Sequence, residues 1–73
     1  MALNQLAIAI LDYVKRLPNG FCDGRIPISG YSDLAVLRET FDLVKRGHLK
    51  GAFPPNANHP WPDGYEWGYV QAI

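Results

Sequence analysis

Three side chains in this sequence could ligate a metal strongly or take part in nucleophilic chemistry: Cys22, His48 and His59, with carboxylates such as Asp23 and Asp63 to supplement them. A zinc centre usually draws on ligands paired at short spacing, as in Cys-x2-Cys, and no such pair occurs here. A Cys22 nucleophile with either histidine as base would also need a thiolate-stabilising environment and an oxyanion site. A chain of 73 residues has little length from which to build such a cleft. The seven acidic residues are scattered, and the seven glycines lie singly at turns rather than in a GxxxxGK phosphate loop. These residues predict no enzymatic activity, no bound metal and no cofactor.

The cations are more informative. Between Asp42 and Asp63 the chain carries Lys45, Arg46 and Lys50 together with His48 and His59, and no acid. Arg38 falls on the same exposed helix face as this group, so four cations gather around one helix end and the segment that follows. Such an edge can bind phosphates, which supply most non-specific nucleic-acid affinity. Ordinary helix-surface chemistry also accounts for part of it. Arg38 and Arg46 each lie four residues from Asp42, and cations in a last turn suit the helix dipole.

The aromatic residues cluster late, with Phe53, Trp61, Tyr65, Trp67 and Tyr69 all in the last third of the chain. Tyr65, Trp67, Tyr69, Gln71 and Ile73 alternate onto one strand face, and that face is expected to be mostly core. Trp61, between Pro60 and Pro62, is either a cap on the core or an exposed anchor for a partner.

Two helices and a few strands must position these groups. At 100° per residue, positions 3–17 put Leu3, Leu6, Ala7, Ile10, Leu11, Tyr13, Val14 and Leu17 on one face. Ile8 is out of place on the polar side, and Pro18-Asn19-Gly20 stops the helix. A second helix over 32–46 opens on Ser32 as N-cap, with Asp33 favourably placed against the dipole. Phe41 lies mid-face among Leu34, Val36, Leu37, Thr40, Leu43 and Val44, and Gly47 is placed to end the helix in a left-handed cap. Between the helices, Ile26 and Ile28 alternate around Pro27, which confines any strand there to an edge or a single bridge. Residues 48–53 and 65–72 read as strands on either side of a long proline-rich loop, 54–64. The fold class expected is α+β, a single domain over 1–73, with two helices packed on a small two- or three-stranded antiparallel sheet.

Within residues 26–51, IPISGYSDLAVLRETFDLVKRGHLKG, an Ile-x-Ile-x-Gly-Tyr segment precedes a capped helix that closes on Lys-Arg-Gly-His-Leu-Lys-Gly. This resembles winged-helix modules, in which a helix, a glycine, an apolar residue, a basic residue and a second glycine lead into the first wing strand. The stretch is particularly similar to small winged-helix-like proteins of bacteria and their phages. The resemblance implies that 54–64 is the wing and 65–73 the returning strand. A full winged helix has another helix before its recognition helix, whereas one long helix follows the first here.

Composition sets the function classes. Hydrophobic residues at 48% and charged residues at 19% describe a globular chain. The formal net charge of zero argues against strong field-driven binding to nucleic acid or membrane. The single cysteine cannot form an internal disulfide, which fits a reducing cytoplasm, and the apolar start of the chain lacks the basic residues of a signal peptide. No stretch is long enough to span a membrane. The expectation is a small regulatory nucleic-acid-binding module, with dimerisation recovering affinity through two half-sites. The alternative is a protein-binding adaptor or inhibitor, of the kind phages encode in chains this short. The contact residues expected for either partner are Arg38, Lys45, Arg46, Lys50, His59 and Trp61.

Overall fold

The computed structural model describes residues 3–54 and 66–73. Helix α1 runs Gln5–Arg16, strand β1 Phe21–Asp23, helix α2 Asp33–Lys45, strand β2 Leu49–Ala52 and strand β3 Tyr69–Ala72. The strands form one antiparallel sheet in the order β1-β3-β2, so the chain's last strand lies in the middle. The expected α+β architecture, two helices on a small two- or three-stranded antiparallel sheet, is the observed one, with three strands among the described residues.

Local chemistry explains where the helices begin and end. Asn4 caps α1, its Oδ1 accepting from the Ala7 amide at 2.7 Å, which shortens the expected helix at its start. Leu17 is extended, and Pro18–Gly20 makes a single tight turn in which Asn19 and Gly20 are both left-handed. Ser32 caps α2, its Oγ accepting from the Ala35 amide at 3.1 Å. At the other end Gly47 takes φ 84°, and the His48 amide donates to the carbonyl of Leu43 at 2.9 Å. That left-handed cap turns the chain directly into β2.

The core lies between the helices and one face of the sheet. Leu6, Ala7, Ile10 and Val14 come from α1, Val36 and Leu43 from α2, and Cys22, Leu49 and Val70 from the three strands. Helix α1 packs on α2, β1 and β3, while α2 also packs on β2.

Three expectations need correction. The first short strand is Phe21–Asp23, and Ile26 and Ile28 belong to no strand. Phe21–Asp23 has no proline, so its backbone can pair with β3, whereas Pro27 removes a donor. Ile26 instead lies fully buried in the core as a loop residue.

The second concerns β3, whose inward-facing side chain is Val70 rather than the expected Tyr69, and Tyr65 lies outside the described residues. Tyr69 and Ile73 are exposed, and Trp67 is only partly buried against the core. Two positions in this pairing have no space for a side chain of their own. A Cβ on Gly68 would overlap the carbonyl of Ala52, and one on Gly51 would overlap the carbonyl of Tyr69.

The third is Phe41, which sits at the margin of the core. It meets Phe53 edge-to-face, with ring centroids 5.6 Å apart. Thr40 takes the fully buried place beside it.

Candidate nucleic-acid interface

The cations begin on α2 and continue into β2. Arg38 and Lys45 are seven residues apart, two turns of helix, and so lie on one exposed side of α2. Lys45 holds its ammonium 5.7 Å from the centre of the Phe41 ring. Arg46, at the helix end, pairs with Asp42 one turn earlier, Nη1 to Oδ2 at 3.0 Å. Part of its charge is therefore already answered by a surface ion pair, as the four-residue spacing implied.

Lys50 stands elsewhere. Its neighbours on β2, Leu49 and Gly51, face the helices, and strand alternation sends Lys50 to the opposite face. There it lies across from Gln71 of β3, which lies in turn across from Phe21 of β1. The expected cluster is thus divided, with Arg38, Lys45 and Arg46 around the end of α2 and Lys50 on the open side of the sheet. His48 is exposed in the turn that joins the two groups. From Leu43 to Pro54 there are three cations and no carboxylate. His59 and Trp61, the other two expected contacts, lie outside the described residues.

The open face of the sheet carries side chains that sequence reasoning assigned elsewhere. Phe21 and Tyr69, each 44% exposed, stack against one another diagonally across β1 and β3, with centroids 5.8 Å apart and planes 21° from parallel. Ile73 beyond them is 72% exposed. Alternation within Phe21-Cys22-Asp23 and within the last strand was the available signal, but it gives two faces without saying which is wet.

Cys22 is buried, and its Sγ lies 3.8 Å from the carbonyl oxygen of Gly24. Burial pushes the thiol pKa up, and the neighbouring Asp23 carboxylate adds to the effect. A nucleophilic or metal-binding cysteine needs the reverse shift. Among the described residues, no group of three or more His, Cys, Asp or Glu side chains could hold a metal ion. No described helix is long and apolar enough to cross a membrane.

Comparison with family models, with curated proteins and with solved structures finds no match to this chain.

Proposed function

We infer that this chain is a small non-enzymatic nucleic-acid-binding module of winged-helix type, acting as a cytoplasmic regulator. The observation that carries the reading is the carboxylate-free run from Leu43 to Pro54, which presents Lys45, Arg46, His48 and Lys50 at the surface. A polyanion approaching this edge meets cations from the helix end through the edge strand, and phosphate contact is the chemistry such a run supports. The antiparallel pairing of β2 with β3 directly after the glycine-capped helix supports the winged-helix reading, in which these strands flank the wing. A homodimer would bring two copies of the edge to two half-sites and so recover the affinity that a zero net charge does not supply.

A second reading rests on a different residue. Ile8 is 54% exposed on the polar side of α1, and an apolar side chain there suits a protein-binding adaptor or inhibitor, including a phage-encoded one. Salt separates the two readings. Nucleic-acid binding should weaken steeply as salt rises, whereas an apolar protein contact should change little.

The test replaces Lys45, Arg46 and Lys50 together with glutamine. Melting should stay near wild type, because exposed charges and surface pairs contribute little stability. Nucleic-acid binding should be lost. Binding that survives the triple substitution would overturn the reading.

A further inference from the structure

We propose that the open face of the sheet binds single-stranded nucleic acid, a base stacking on the Phe21–Tyr69 pair while Lys50 holds an adjoining phosphate. This rests on the nucleic-acid reading above and assigns it a ligand class and a surface.

Among the described residues, the helices cover one face of the sheet and no element packs on the other. On that open face two aromatic rings stack on each other and remain 44% exposed. Folding alone does not require large apolar side chains here, because the core is filled from the other face. A stacked, partly exposed ring pair offers a platform for an unpaired base, whose flat surface a duplex keeps hidden.

The row through Lys50, Gln71 and Phe21 runs directly across the three strands. Two strand spacings place its ends about 10 Å apart. The row holds a cation, an amide that both donates and accepts, and a ring. These are the groups that hold a phosphate, hydrogen-bond a base edge and stack on a base face.

Charge gives the site a direction. Asp23 lies across from Tyr69, and Glu66 precedes β3, so both acids sit where β3 begins. Lys50 lies toward the other end, and His48, Arg46 and Lys45 follow it into the end of α2. A polyanionic strand stacked on the rings is drawn along β2 toward the helix end and away from the acids. A partner recognised only by apolar contact would have no use for Lys50 and Gln71 between the rings and the edge.

The experiment measures fluorescence anisotropy of labelled oligothymidine of about 12 nucleotides, within the site sizes of small single-strand binders. A duplex of equal length serves as the comparison. The single strand should bind more tightly than the duplex. Phe21→Ala and Tyr69→Ala should each weaken it by roughly 5- to 100-fold, while Phe21→Tyr and Tyr69→Phe, which keep the rings, should stay near wild type. Lys50→Gln should lower the salt slope by about 0.7. Amide shifts of the unmutated protein on adding oligothymidine avoid any effect of substitution on folding, and they should concentrate in 21–23, 48–52 and 69–73.

Shifts confined to α2, or equal affinity for duplex and single strand with no effect of the ring substitutions, would overturn the sheet-face site. If the glutamine triple variant still abolished that binding, the nucleic-acid function itself would stand. Absence of binding to either oligonucleotide would overturn both.

Discussion

Thr40 donates its Oγ1 hydrogen to the carbonyl oxygen of Val36 at 2.7 Å, in a position with no solvent exposure. The bond satisfies a polar group that would otherwise be costly in the core. Thr40→Val removes the hydroxyl but orphans nothing, since the Val36 carbonyl keeps its helical amide donor. Stability should change by less than about 1 kcal/mol. Thr40→Ser keeps the hydroxyl and loses a buried methyl, at a cost of about 1 kcal/mol or more. Urea denaturation checks the order, and a larger loss for valine would mean the hydroxyl matters beyond this bond.

Leu43 and Phe41 should rank opposite to their sizes. Leu43 is fully buried, so Leu43→Ala should cost about 2–5 kcal/mol. Phe41 is partly exposed and packs on Phe53 at the margin, so Phe41→Ala should cost about 1–3 kcal/mol. A double-mutant cycle with Phe53→Ala should return a coupling of about 0.5–1.5 kcal/mol. Zero coupling would mean that the two rings do not support each other in solution.

Glycines at Gly68 and Gly47 should fail for different reasons and by different amounts. A side chain on Gly68 meets the backbone of Ala52, which cannot move without breaking β2 from β3. Gly68→Ala should lose more than about 2 kcal/mol and weaken the sheet signal in circular dichroism. Gly47 has open space around its Cβ position but a φ of +84°. Gly47→Ala should cost about 1–2 kcal/mol, and Gly47→Asn less. Comparable melting for Gly68→Ala and wild type would place the β2–β3 contact wrongly.

Cys22 should make stability fall in alkali. Its folded pKa is raised by burial and then by Asp23, so the folded state holds the thiol proton more tightly than the unfolded chain does. That contribution is fully present below the ordinary thiol pKa and is lost as pH climbs from there through the raised value. Thermal melts of wild type and Cys22→Ser across this range isolate the contribution, and the difference between them should narrow with rising pH. The native thiol should also alkylate slowly at neutral pH and quickly in urea. Fast native alkylation would contradict the burial of this side chain.

The helix signals were legible because each is local. Ser32, Gly47 and the buried stripe of Leu6, Ala7, Ile10 and Val14 act through neighbours within one or two turns, and sequence spacing fixes those neighbours. The basic run from Lys45 to Lys50 was legible as composition for the same reason. What tertiary structure decided was which side of each strand faces the helices. Alternation along β3 and the residues beside it puts Tyr69, Gln71 and Ile73 on one face and Gly68, Val70 and Ala72 on the other. Hydrophobicity alone favours burying the first set. Strand pairing sets Val70 opposite Cys22 and Gly51 on the side the helices cover, so the side that carries Tyr69 turns to solvent. The same choice carries Lys50 away from Arg38 and Lys45 and sets it in line with Gln71 and Phe21. Residues 21 and 71 are fifty positions apart, and only the pairing of first and last strands brings them together.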